Sequence, residues 1–394
     1  MIWFGFLLSI VLLMVAARKS VWLGLTLAAI VLGLFTLPLS QLCFEILSTL
    51  SDISVFLLAL AVGLIPLIGG ALEISGLMDD LTENLRLKKR TFLAFSPALL
   101  GLLPMPGGAL LSAPMLKKVG KDIPANNKSA LNVWFRHVFI LIYPLGALLV
   151  TTKMAGLDLY LAILYLIPGF ILMLGLGYIF LLKGIKNDHT FKQRFDPKKL
   201  IAPFSIILAA PLVHLTLMTI FSQITPEIPL LIGVSSSLLL VLYIGKFRLA
   251  GIKEIAVKMR IWDFALIIIG MFLFLNIFKA SDAPKVVATL PVSKAVFLVG
   301  IGALFGFITG RVQTPVAIIL PIYFTKFGTG TITPLAFAIT YFSIFTGYVI
   351  SPVHPCVSVS IAYFKVKFSD LLKILAAPTA IALATTFILA VMFL

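Results

Sequence analysis

Apolar runs of about twenty residues, separated by short clusters of Lys and Arg, recur along the whole chain. At 1.5 Å per residue, about 20 residues cover a hydrocarbon core of roughly 30 Å, so such a run has the length of a membrane-crossing helix. The pattern predicts spans at about 2–17, 21–38, 53–77, 128–152, 157–183, 201–222, 228–245, 262–280, 332–364 and 371–394. The first of these has no basic leader and no small-residue cleavage signal, and reads as a span rather than a removable signal. A short amphipathic piece, 41–51, carries Glu45 between the second and third spans.

Two further apolar runs, 91–116 and 293–325, are broken at their centres. The first break reads Leu102-Leu103-Pro104-Met105-Pro106-Gly107-Gly108-Ala109, and the second Thr309-Gly310-Arg311-Val312-Gln313-Thr314-Pro315. Pro removes a helix hydrogen bond and Gly weakens the helix entropically, so neither run continues through its centre. At membrane depth, freed backbone groups are tolerated only where protein buries them or a cavity solvates them. Basic clusters flank the first run on both sides, at Arg86 to Arg90 and at Lys117, Lys118 and Lys121. The positive-inside rule disfavours placing those clusters on opposite faces. The run therefore reads as a re-entrant hairpin entering from the cytoplasm, with arms of about 12 residues, or ~18 Å of helix. With the N-terminus outside, the loops at 18–19, 79–90, 117–127, 183–199, 246–260 and 365–373 fall inside. The hairpin at 293–325 then enters from the outside, and the C-terminus is also outside.

Each half then has the same order: three spans, a hairpin, a broken span and a final span. The first half is 1–183, a basic cytoplasmic linker covers 184–199, and the second half is 200–394. Pro114 and Pro144 lie 30 residues apart, Pro321 and Pro352 lie 31 apart, and the offset between halves is about 207. Five spans per half invert the second half in the membrane. Inverted repeats whose discontinuous helices meet at the midplane are characteristic of secondary transporters, and paired Gly/Pro interruptions mark the binding site. The expected fold is an all-α polytopic membrane protein with about ten transmembrane helices plus two re-entrant hairpins in an inverted-topology repeat.

Composition and charge sharpen this picture. Of 394 residues, 61% are hydrophobic and 12% charged, against about 25% charged in soluble domains, and the mean hydropathy is +1.14. No sizeable soluble domain fits. A net charge of +16 would suggest nucleic acid in a soluble protein, but here it sits in short loops and reads as positive-inside bias. The expected partners are the lipid bilayer of the cytoplasmic membrane and a small-molecule solute, not nucleic acid. Cys43 and Cys356 are isolated in sequence and offer neither metal spacing nor a disulfide framework, so no metal or cofactor is expected.

Half-helix N-termini at the tips and breaks present free N–H groups and a positive dipole end, which suits an anion. Gly107, Gly108 and Gly310 permit close backbone approach beside Pro106. Arg311 is costly at membrane depth unless it is paired or faces a cavity, and no carboxylate shares its hairpin. A carboxylate or oxyanion held bidentately is its candidate partner. Thr309, Gln313, Thr314 and Ser351 add polar atoms, and His354, between Pro352 and Pro355, is a candidate to bond solute or carry a proton. Arg136, His137 and Tyr143, with Asn132 one turn earlier, are candidates for gating or coupling, as is Glu73, the carboxylate well inside a span. His214 reads as structural. For coupling, two readings stay open: Na+ held by backbone carbonyls and by Ser112, Thr309, Thr314, Thr346 or Ser351, or H+ carried by a histidine. The patterns of an intramembrane enzyme (paired aspartates, a Ser-His pair, HExxH) do not occur.

With LLPMPGGALLSAPML in the first hairpin, ITGRVQTPVAIILP in the second and GYVISPVHPCVSVSIAYF in the ninth span, the chain resembles the ion transporter superfamily of prokaryotic secondary carriers. Within it, the chain looks most like an uncharacterised "domain of unknown function" branch of ten-helix integral membrane proteins. The resemblance implies that spans one to three and six to eight form a scaffold and a homodimer interface. It implies that the hairpins with spans four, five, nine and ten form a transport domain that moves as an elevator. The tips depart from the Ser-Asn-Thr type signature of the dicarboxylate carriers, so a sodium/dicarboxylate mechanism does not carry over. The resulting expectation is a secondary active transporter, not an enzyme, moving a small anionic solute on a sodium or proton gradient. The alternatives are an ion channel or cation/proton antiporter on the same fold, or an intramembrane enzyme.

Overall fold

The computed structural model describes residues 2–16, 19–84, 87–102, 109–186, 196–221, 223–247, 249–327 and 331–394. These residues form twenty α-helices. Ten lie before residue 187: α1 Ile2–Ala16, α2 Val21–Thr36, α3 Leu39–Ser51, α4 Ile53–Ile74, α5 Leu77–Asn84, α6 Lys89–Gly101, α7 Ala109–Val119, α8 Ala125–Val138, α9 Ala147–Ala155 and α10 Leu159–Gly177. Ten follow residue 195: α11 Lys198–Ile220, α12 Glu227–Ile244, α13 Leu249–Met259, α14 Ile261–Ala280, α15 Ala283–Ala288, α16 Gly302–Thr309, α17 Gln313–Phe327, α18 Pro334–Val349, α19 Pro355–Phe364 and α20 Phe368–Phe393.

The helix ends follow from local chemistry. Asp52 caps α4 by accepting from the backbone N–H groups of Ser54 (2.8 Å) and Val55 (3.3 Å). Asp158 caps α10 through Leu161 N–H at 2.8 Å, and Thr333 caps α18 through Ala336 N–H at 3.2 Å. Gly156 and Gly310 stop α9 and α16 in the left-handed conformation, at φ +66° and +59°.

Six helices are long and apolar enough to cross a membrane: α4, α10 with its π-helical extension to Leu182, α11, α12, α14 and α20. A seventh span results if α8 and α9, bent by 43° at their break, count as one. The other expected spans appear as shorter apolar helices. α2, with 16 residues, reaches about 24 Å. Stretches of charged or polar sequence between the expected spans hold helices of their own: α5 overlaps 79–90, α13 lies within 246–260 and α15 within 281–291. Their apolar positions recur at helical spacing, and α13 buries Ile255 and Met259 against Gly70 of α4. α16 and α17 form the second hairpin, entered through a π-helical turn at Val296–Ile301. The first hairpin is α6 and α7. At its foot Lys89 reaches Asp122 at 2.5 Å, and that hydrogen bond holds the Asp122 carboxyl below its usual pKa. The tip at 103–108, with Pro106, Gly107 and Gly108, lies outside the described residues.

The packing is reciprocal between the two sets of ten. α1 packs on α2 as α11 packs on α12; α2 packs on α14 as α12 packs on α4; α3 meets α14 as α13 meets α4. In the other layer α6 packs on α8 as α16 packs on α18, and α8 meets α20 as α18 meets α10. Each hairpin arm touches its broken helix through glycine. A Cβ at Gly101 would fall 2.0 Å from the Arg136 carbonyl oxygen, and one at Gly306 would fall 2.0 Å from that of Ile344.

Gly306→Ala must push α16 off α18, and overpacking of this kind costs about 1–3 kcal/mol. At Gly175 an added Cβ meets nothing within 4 Å, so Gly175→Ala is expected to be neutral or to stabilise by roughly 0.5–1 kcal/mol. Denaturation of the purified variants in detergent measures both.

Candidate functional site

Between the two layers lies a cavity of about 360 Å³, within the usual range for small-ligand pockets of about 300–1,000 Å³. One wall is apolar: Val21 of α2, Val62, Ile65 and Pro66 of α4, and Phe264, Ile267 and Ile268 of α14. The facing wall is made of interrupted helices. It holds Arg136 at the end of α8, Tyr143 and Gly146 in the link to α9, Gly310 to Gln313 between the arms of the second hairpin, Tyr348 on α18, and His354 to Cys356 at the start of α19.

The breaks follow from the sequence. α8 tightens into a 3₁₀ turn at Ile140–Ile142, and Tyr143 is extended (ψ 125°), as a residue before proline must be. Gly146 adopts φ 140°, a conformation open to glycine. Beyond α18, His354 is extended ahead of Pro355, which occupies the first turn of α19. Ser351 ties this break to the hairpin: its hydroxyl donates to Phe307 C=O (2.5 Å) and accepts from Val353 N–H (3.3 Å). A Cβ at Gly310 would meet His354 N at 2.9 Å, so the hairpin tip rests directly on the break.

The cavity lining has two guanidiniums, Arg136 and Arg311, and no carboxylate. Arg311 is half-buried and forms no ion pair with any carboxylate among the described residues. Behind them sits a ring cluster. The His354 ring stacks on Tyr348 at 4.1 Å and meets the His137 ring edge-on at 4.7 Å. Nδ1 of His137 lies 2.6 Å from Val133 C=O, and Nδ1 of His354 lies 3.2 Å from Tyr348 C=O. A carbonyl only accepts, so each Nδ1 carries a proton, which leaves Nε2 as the nitrogen that offers a lone pair when the ring is neutral. Nε2 of His137 is buried with no hydrogen-bond partner among the described residues.

Of the residues singled out from sequence, Arg136, Tyr143, Gly310, Arg311, Gln313 and His354 line this one cavity, with His137 directly behind. Thr309 donates to Phe305 C=O (2.7 Å) and Arg311 C=O (3.3 Å), bracing the tip. Thr314 is buried on α17 away from the lining, and Ser351 braces the break. Glu73 is elsewhere, on α4, paired with Lys258 of α13 at 3.4 Å. Asn132 is fully buried. It accepts from Ser112 Oγ (2.5 Å) and donates to Ala109 C=O (3.1 Å) and Ser360 Oγ (2.9 Å), joining α7, α8 and α19. Sequence reading missed Tyr348, Cys356 and the apolar wall. The only local hint was that Tyr348 and Cys356 flank the Ser351–Pro355 break.

Polar contacts also connect the layers away from the cavity. Lys153 of α9 reaches Glu227 of α12 at 2.5 Å, and Tyr160 of α10 meets His214 Nδ1 of α11 at 2.9 Å.

These features define a class: an all-helical, multi-pass membrane protein. The crystal structure of the Alcanivorax borkumensis YdaH transporter, described as revealing an unusual topology, matches with a TM-score of 0.58 at 15% sequence identity, covering 98% of this chain and 97% of that one. The chain belongs to the family "Protein of unknown function (DUF401)", which matches residues 4–393. No curated protein matches it.

Asn132→Ala removes three buried hydrogen bonds and leaves the Ser112 hydroxyl only its 3.4 Å contact to Ala109 C=O. At about 1 kcal/mol per bond it should destabilise the fold by roughly 2–4 kcal/mol. Detergent-solubilised unfolding curves measure this.

Proposed function

We propose that the protein is a secondary active transporter that moves a small organic carboxylate or oxyanion through the 360 Å³ cavity, driven by a sodium or proton gradient. The observation that carries this reading is Arg311. A guanidinium at membrane depth needs a counter-charge, and this one has none among the described carboxylates while facing a cavity. Arg136 on the same cavity adds positive charge, and the N-terminus of α19 adds the end of a helix dipole.

The transport cycle we propose is an elevator motion within an inverted repeat, with both termini outside and the homodimeric assembly that the superfamily resemblance implies. The one-to-one helix order and the exchange of partners between α2–α14 and α12–α4 support the repeat. The division of the cavity supports the motion. The residues that α2, α4 and α14, helices of the proposed scaffold, bring to it are all apolar, and its polar side chains come from the interrupted helices and their links. A polar site sliding along a smooth apolar face exchanges access without unmaking its own geometry.

Proteoliposome uptake of a panel of carboxylates and oxyanions, with and without imposed sodium or pH gradients, tests the reading. Hydrogen bonds to charged groups are worth about 1.5–3 kcal/mol, so Arg311→Ala should lower uptake of the transported solute about 10- to 100-fold, and Arg311→Lys should retain part of it. Unchanged transport in Arg311→Ala would remove the residue from the site. In a cysteine-free background, a cysteine at Lys118 should react with an impermeant maleimide from the cytoplasm, and one at Lys294 from the outside. Reaction from the same side would overturn the inverted topology.

A further inference from the structure

We propose that His137, His354 and Cys356 form a three-ligand site for a borderline or soft divalent cation of the Zn2+ type, with a fourth coordination position open to the cavity. One donor atom from each residue lies within 4.8 Å of the others. The two imidazoles come from different halves of the chain, and Cys356 stands in the first turn of α19, two residues after His354.

Proximity alone would not carry the proposal. The hydrogen bonding of the rings does. Each histidine gives its Nδ1–H to a backbone carbonyl, Val133 for His137 and Tyr348 for His354. That supporting bond is the one metal-bound histidines almost always make, because it fixes the tautomer and turns the Nε2 lone pair toward the ion. His137 Nε2 is buried and lacks any partner among the described residues, a cost that a metal bond would remove. Tyr348 stacks on His354 at 4.1 Å and holds that ring.

Zn–N and Zn–S bonds of about 2.0–2.3 Å place tetrahedral donors about 3.3–3.6 Å apart. Metal binding would therefore draw the donors together by up to about 1 Å, through side-chain rotation. Two nitrogens and one sulfur favour Zn2+, Co2+ or Cu+ over Mg2+ or Ca2+, which take oxygen ligands. Binding deprotonates the thiol: the sulfur lone pair forms the metal bond and the proton leaves to solvent. The thiolate offsets one charge of the ion. Arg311 and Arg136 on the same cavity then favour an anionic ligand in the open fourth position. The site does not depend on the transport reading, and its test uses no transport.

The experiment uses the full chain with Cys43→Ser, which leaves Cys356 as the single thiol. After chelator treatment, Co2+ titration should saturate at one equivalent per chain. A near-ultraviolet thiolate-to-cobalt absorption should appear, and Zn2+ should bleach it. Cys356→Ser should abolish that band. His354→Gln should keep it and weaken binding about 10- to 100-fold, the range seen when even a supporting residue is lost. Because a variant can misfold, maleimide alkylation of Cys356 is followed in parallel on the otherwise unmutated site, and Zn2+ should slow it. No saturable binding, a band that survives Cys356→Ser, or alkylation unaffected by Zn2+ would each overturn the proposal.

Discussion

The site rests on one constraint: main-chain N–H and C=O groups that leave helical geometry at membrane depth must find partners inside the protein. The second hairpin and the α18–α19 break meet this constraint together. Ser351 bonds the hairpin arm and its own loop at once, Thr309 braces the carbonyl of Arg311, and Gly310 lets the tip settle against His354. Those contacts hold Arg311 and His354 on one cavity. A hairpin with a side chain at Gly306 or Gly310 would stand away from α18 and its loop, and the interrupted backbone would lose its cover.

A second consequence of the same geometry is the contrast between the two cavity walls. Helices that run through without interruption carry branched aliphatic and aromatic side chains, which need no partner. Interrupted helices bring the polar atoms, because only there does backbone already require hydrogen bonds. Polarity is thus concentrated where the chain is broken, and the arginines and histidines of the site are found beside those breaks.

Much of this was legible in the sequence because Pro and Gly act locally. The interruptions at 143–146, 309–315 and 351–355 appear where Tyr143-Pro144, Gly310 and Pro352 to Pro355 place them. Arg311 stood out for a reason that needs no structure, the energetic cost of a charge in a bilayer. Other features were out of reach. Hydropathy does not say where an apolar helix stops, so runs that read as spans emerged as shorter helices such as α2 and α19. Charges on α5 and α13 masked helical periodicity and made them look like loops. Contacts across the chain leave no local trace: nothing near Cys356 announces His137, and nothing near Asn132 announces Ser360. The side chain of Glu73 found its partner on α13, within a stretch that read as linker.

The Lys153–Glu227 pair joins a solvated partner to a buried one. Glu227 is 3% exposed, and its second carboxylate oxygen has no hydrogen-bond partner among the described residues. Lys153 is 37% exposed, so its ammonium stays solvated with or without the partner, whereas the buried carboxylate depends on Lys153 for its counter-charge. Loss of Lys153 should therefore cost more than loss of Glu227: the first leaves a buried carboxylate alone, the second frees an ammonium that water already reaches.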